Sequence, residues 1–369
     1  ISNYTNAGNS SQAILELKNL SIFCDSNNSN CEEIINYYRA KTYFNQYKLD
    51  DAISYYDKAL KASGKKNNDY FYIYSSSGKA EALLHKNKFD EAEQLLKNTE
   101  SKYSGKKNIE LKGVFLLLGY INYDKEDMIH ALEYYLKTDD LIVKNDLENR
   151  PYKIIAQNQI AIIYKEMKNY PKAIEYVNKN LNLIEKQNFR NYYETIRLKG
   201  EIDIELQKYD AAYKSLKQSY DGFVKLGDNP NKFTTSISLG EVLFNLKKND
   251  SSIFYLKSAE AFYIQNNFFN SLVKINNILA KNYLAKNDVL NATTYVAKSN
   301  KLLVYGVKKE DALELVNIKI KLAHLTSNYS EISSLLSLKD SITNLINQKN
   351  TKNAFHELEA KYQTEKKEQ

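Results

Sequence analysis

The sequence predicts an all-α protein: a superhelical α-α solenoid of about eight to nine helical hairpins over residues 1–340, then a charged C-terminal helix over 341–369. Three observations predict it. A short motif recurs about every 40 residues along the chain. Helix breakers are scarce, with 11 Gly and 3 Pro in 369 residues, and few breakers in a long chain favour helix. Within each copy, apolar residues fall at the i, i+3, i+4, i+7 spacing of an amphipathic helix.

The motif is plainest in YKLDDAISYYDKALK (47–61), NKFDEAEQLLKNTES (87–101), KNYPKAIEYVNKNLN (168–182) and QKYDAAYKSLKQSYD (207–221). Each has an aromatic residue or Leu, two mostly polar residues, an Ala, and an apolar group four residues on. The anchors are Ala52, Ala92, Ala173 and Ala212, with weaker copies at Ala13, Ala131, Ser252, Ala292 and Ile332. Self-similarity at a fixed period of this size marks a repeat architecture. Twelve residues before each internal anchor stands a small residue: Ala40, Ala80, Gly119, Ala161, Gly200, Gly240 and Ala280. Three residues later there is often a large apolar one, as at Tyr43, Leu83, Tyr164, Leu243 and Tyr283. The pattern reads as a hairpin whose two helices cross closely, small residue against anchor, with larger side chains filling the space around the crossing.

The remaining elements follow in order. SGKKNND (63–69), SGKKN (104–108), LGDNPN (226–231) and YGVKKE (305–310) fall where one hairpin should join the next. Pro171 is expected to open a second helix, where its missing N–H costs nothing. Asp50 and Asp51 suit the positive end of a helix. A hairpin with two apolar faces cannot stand alone, so stacking must bury each against its neighbours.

Small-xx-Tyr followed by Tyr/Phe-x-x-Ala-x-x-x-large resembles the tetratricopeptide repeat over nearly the whole chain. The family's usual first-helix Trp and closing Pro are absent, and the period is about 40 residues where the family has 34, which implies longer helices or longer turns. The resemblance implies that first helices line a concave groove, reached by residues three before and one after the small residue. The groove candidates are then Tyr37, Lys41, Glu81, Tyr120, Asn158, Arg197, Glu201, Glu241, Asn277 and Lys281. Glu201 and Glu241 suggest an acidic middle, and Lys281 with Lys274 a basic end. Mixed signs and amides suit a protein or peptide ligand better than a bare phosphate.

Other function classes find little support. The formal net charge is +7, but Lys is spread along the chain and only four residues are Arg (Arg39, Arg150, Arg190 and Arg197). A nucleic-acid surface usually needs a concentrated basic patch. No nucleotide-binding, zinc-protease or serine-hydrolase motif occurs. His85, His130, His324 and His356 lie in different segments, so no metal site, cofactor or catalytic residue is expected. The Tyr pairs at 55–56, 134–135 and 192–193 read as core. The longest apolar stretch, GVFLLLGYI (113–121), is far short of the ~20 residues a membrane helix needs, so a membrane is expected only through an anchor outside this sequence. Cys24 and Cys31 flank a short polar loop, and two readings stay open: a disulfide in an oxidising compartment, or two unrelated small residues.

In the tail, apolar residues at 342, 345, 346, 355, 358 and 362 form a narrow seam. It suits a short coiled coil, and so a homodimer through this helix, or a simple terminal helix. LKDSI (338–342) and ELEAKYQTEKKEQ (357–369) look similar to the juncture in bacterial membrane-anchored tetratricopeptide sensors. There, a repeat array on the periplasmic side precedes a membrane span and a histidine kinase or helix-turn-helix output module. The expectation is a non-catalytic, protein- or peptide-binding sensory region of a bacterial signal-transduction protein. A structural scaffold and a cytoplasmic peptide-binding regulator stand as alternatives.

Overall fold

The computed structural model describes residues 10–26, 31–103, 108–143, 145–184 and 189–349. All regular structure among them is helical. The helices are α1 (Ser10–Ser26), α2 (Glu32–Asn45), α3 (Leu49–Lys66), α4 (Asp69–His85), α5 (Phe89–Tyr103), α6 (Lys112–Asp124), α7 (Met128–Leu141), α8 (Arg150–Glu166) and α9 (Tyr170–Leu183). They continue as α10 (Phe189–Glu205), α11 (Tyr209–Leu226), α12 (Asn229–Asn245), α13 (Asn249–Gln265), α14 (Phe269–Ala285), α15 (Val289–Leu302), α16 (Lys309–Leu325) and α17 (Tyr329–Lys349). The chain divides into two compact units, Ile1–Ile160 and Ala161–Gln369.

Each even-numbered helix from α2 carries the first half of a repeat, and the helix after it the second. The long period comes from long helices: α10 has 17 residues and α11 has 18, and only residues 206–208 separate them. The turn inside every hairpin is the same. Five residues before each anchor, Tyr47, Asn87, Glu126, Lys168, Gln207, Lys247, Asn287 and Ser327 take φ of 55–60°. The next amide then bonds back to a carbonyl five residues earlier, as from Lys48 to Tyr43 (2.9 Å), Lys208 to Asp203 (2.8 Å) and Lys248 to Leu243 (2.8 Å). This is the helix-ending arrangement usually built on glycine. Here non-glycine residues hold it, at a cost of roughly 1–2 kcal/mol each.

The predicted close crossing is present. Ala40, Ala80, Ala161 and Ala280 are fully buried, as are anchors Ala52, Ala92, Ala131, Ala173, Ala212 and Ala292. The side chain four residues after the anchor lies over the small residue. A Cβ added at Gly240 would sit 2.5 Å from Cγ of Leu256, and one at Gly119 would sit 2.7 Å from the Tyr135 ring. Ser252 takes the anchor place without loss, because its hydroxyl donates to the Gly240 carbonyl at 2.6 Å and accepts from the Asn282 amide at 2.8 Å. Seven residues after the anchor comes a layer that the motif does not mention: Thr99, Thr138, Asn180, Ser219 and Ser299, all buried. Ser219 donates to the Tyr193 carbonyl at 2.8 Å, tying a second helix to the first helix of its own hairpin.

Several joins between hairpins are shorter than the loops expected. α3 runs to Lys66, and Asn67 alone turns left-handed before Asn68 caps α4. Gly227, Asn267 and Gly306 make the other left-handed joins, with φ of 66°, 57° and 73°. Pro171 stands in the first turn of α9, as expected. Residues 104–107 of the expected SGKKN loop lie outside the described residues. α17 continues unbroken from Tyr329 to Lys349, and the remaining tail, 350–369, also lies outside them. Of the paired tyrosines read as core, Tyr56 and Tyr135 are buried, while Tyr55, Tyr134, Tyr192 and Tyr193 are half-buried. Cys31, just ahead of α2, is disulfide-bonded; the side chain of Cys24, its expected partner, lies outside the described residues.

Candidate functional site: the first-helix faces

In the first unit, the first helices α2, α4 and α6 bring three predicted groove residues together. Lys41 (α2), Glu81 (α4) and Tyr120 (α6) each stand one place after the small crossing residue of their repeat. Glu81 and Tyr120, with Leu84, His85 and Leu117, line a recess of ≈ 260 Å³. Tyr120 is 47% exposed. The His85 ring packs edge-on against Phe44 (5.4 Å between centroids) and Tyr47 (5.9 Å) of the preceding hairpin. Burial pushes the Glu81 carboxyl up, against the pull of His85 and Lys41. Burial pushes the Lys41 amine down, and Glu81 only partly opposes it. Tyr37 is placed differently. It is 9% exposed and packs among Phe71, Tyr74 and Tyr56, at 5.6, 6.1 and 6.2 Å. Asn158, on α8, is half-buried.

In the second unit the same face is laced with ion pairs. Glu201 (α10) accepts from Lys165 (α8) at 2.7 Å, from Arg197 one turn back at 2.5 Å, and from the Ser238 hydroxyl (α12) at 3.2 Å. Glu241 (α12) pairs with Lys274 (α14) at 3.0 Å, and Lys281 (α14) with Glu314 (α16) at 2.7 Å. Lys308, ahead of α16, meets Glu166 at the end of α8 at 3.4 Å. Burial alone would push the Glu201 carboxyl up, but Lys165 and Arg197 hold it well below the usual carboxylate range. Glu241 is likewise held down by Lys274 against its burial. In return Glu241 raises Lys274. Asp311 is pushed up to about 6 by burial, which Lys274 and Lys308 only partly offset.

The separated acidic middle and basic end are therefore not what the fold builds. Lys274 lies against Glu241, and Lys165, absent from the expected set, lies against Glu201. Glu201 and Glu241 stand on successive first helices, α10 and α12, and each is compensated by a basic partner. The signal was a basic residue four places after Ala161, one helical turn beyond the two positions the resemblance singles out. Asn277 is 2% exposed. Its amide donates to the Asp311 carbonyl at 2.9 Å and its oxygen accepts from Ser299 at 2.9 Å, so it joins α14 to its neighbours. Among the described residues no group of three or more His, Cys, Asp or Glu could hold a metal ion. No helix there is long and apolar enough to cross a membrane.

No family model and no curated protein matches the chain. Solved structures do match its fold. A Rap protein complexed with competence and sporulation factor matches with a TM-score of 0.63 at 14% identity, over 94% of this chain and 96% of that one. The fold is shared with Rap proteins. Aspartyl phosphate phosphatase F from Bacillus subtilis matches with a TM-score of 0.58 at 14% identity, over 93% and 91% of the two chains. The Rap conjugation gene regulator of plasmid pLS20, in complex with the Phr* peptide, matches at 0.55 and 12% identity, over 94% of each. At these identities the likeness establishes the fold, an array of tetratricopeptide-like hairpins, and not the activity.

Proposed function

We propose that this chain is a non-catalytic binding protein that holds a peptide or protein segment along its first-helix faces. The observation that carries the reading is the build of those faces: partly exposed groups of both signs, many of them paired, on successive first helices. Such a surface offers a linear ligand partners of both signs from one first helix to the next. The fold adds support, because two of its structural neighbours were solved with a bound factor or peptide. Panning a random peptide display library on the purified chain tests the proposal. Selected peptides are expected to lose at least tenfold in affinity when Lys274→Glu or Glu81→Lys reverses a charge on either face. Failure to select any peptide, or selected peptides indifferent to both changes, would overturn it. Hydrolysis of a phosphoaspartyl protein by the chain would overturn the non-catalytic part.

The finer reading is part of the same proposal. The chain would serve as the sensory region of a bacterial signal-transduction protein, a histidine kinase or transcriptional regulator, on the periplasmic side of a membrane-anchored parent. The C-terminal helix would carry the signal through homodimer geometry. A ligand can do so only by binding one of two states more tightly than the other. Ligand-dependent change in the solution mass or scattering profile of the chain tests that part; a profile indifferent to a tightly bound selected peptide refutes it.

A further inference from the structure

The recess between α4 and α6 has a chemistry narrower than the face around it. Its volume, ≈ 260 Å³, falls just below the ~300–1,000 Å³ of pockets that take whole small molecules; it suits one long side chain. Leu84 and Leu117 supply apolar walls, and the one carboxylate in the lining is that of Glu81. Tyr120 offers an exposed aromatic face beside it. An aliphatic stem ending in a cation meets all of these: methylenes on leucine, charge on carboxylate, and the ring as a cation–π partner.

We propose that the recess lined by Glu81, Leu84, His85, Leu117 and Tyr120 is a binding site for a single arginine or lysine side chain presented by a bound peptide or protein segment. The inference rests on the binding function proposed above and adds the chemical class of one anchor residue. Lys41 and His85 pull on the Glu81 carboxyl without cancelling the rise that burial causes, and Lys41 is not among the residues that line the recess. An anion would meet Glu81 and also the Asp124 carboxylate, whose field, after burial, raises the Tyr120 hydroxyl. A neutral apolar side chain would cover the carboxylate and leave it without solvent or partner.

The test uses the full chain and two capped amino acids, N-acetyl-argininamide and N-acetyl-norleucinamide, titrated against the NMR resonances of His85. The arginine probe is expected to shift them saturably and the norleucine probe not to. Glu81→Gln should weaken the arginine probe at least tenfold, and Tyr120→Leu severalfold, with the far-UV circular dichroism of both variants unchanged. Absence of a saturable shift, equal response to norleucinamide, or full affinity in Glu81→Gln would each overturn the inference. If Glu81→Gln fails to fold, the Tyr120→Leu response and the probe comparison still decide it. Peptide selection reads binding anywhere along both faces, so failure here and failure of the wider function are separate results.

Discussion

Glu201 should hold the middle of the second unit's face together through its charge. Its carboxylate accepts from Lys165, Arg197 and Ser238. Glu201→Gln keeps the shape and one acceptor but leaves two cations facing each other, and the Nε of Arg197 is already buried without a hydrogen-bond partner. Breaking a fully buried pair costs about 3–5 kcal/mol. Here Glu201, Lys165 and Arg197 keep 17%, 20% and 18% of their side-chain surface, and solvent screening lowers the figure to about 2 kcal/mol. For a unit of this size that is about 4–8 °C in Tm. The loss should depend on pH. A carboxyl held down in the folded state stabilises above its unfolded pKa of about 4.3, and that contribution is lost as pH falls through the folded value. Wild type should therefore melt above Glu201→Gln at neutral pH, and the gap should narrow steadily below about pH 4. Thermal melts followed by circular dichroism across that range measure it. Equal melting at neutral pH, or a gap undiminished in acid, would refute the reasoning.

Three further outcomes follow from the packing. Gly240→Ala puts a Cβ 2.5 Å from Leu256, so overpacking of about 1–3 kcal/mol should outweigh the ~1 kcal/mol gained in helix propensity; Gly64→Ala, in the last turn of α3 with nothing within 4 Å of the new Cβ, should instead stabilise, and chemical denaturation of the pair reads the opposite signs. Ser252→Ala restores the repeat's own alanine yet should cost about 1 kcal/mol, because the Asn282 amide loses an acceptor; a neutral result in the same assay would show that bond to be idle. Asp311→Asn should stabilise at neutral pH: its carboxyl is raised to about 6, so the folded state holds the proton more tightly, the aspartate costs stability as pH rises from about 4 to 6, and the benefit should vanish below about pH 4.

The repeat was legible because burial at a helix crossing tolerates few residue types. Ala or Gly at the crossing, Ala at the anchor and a large residue four places on are chosen by van der Waals contact, and Gly240 against Leu256 shows how little room there is. The turns inside the hairpins were harder to read. Tyr47, Glu126, Lys168, Gln207 and Lys247 take a backbone conformation that favours glycine, and nothing in those side chains announces it; tertiary packing of the two helices holds them there. The polar layer from Thr99 to Ser299 was invisible for a similar reason, since a short hydroxyl or amide reads as surface until a carbonyl partner is placed beside it.

For the site, the sequence determined which positions face which way, and tertiary structure decided what they meet. The step of one residue after the crossing put Glu81 and Tyr120 into one recess and Glu201 and Glu241 onto one face, because repeat spacing sets helix orientation. Partners were another matter. Lys165 and Glu201 are 36 residues apart, and Lys308 and Glu166 are 142 apart. A charge in a sequence has a sign but no counter-ion; only the stacking of hairpins brings a lysine of one repeat within reach of a glutamate of the next. It is that stacking which turns the expected acidic middle into a row of compensated pairs, leaves Asn277 bonded between helices, and sets Glu81 in an open recess.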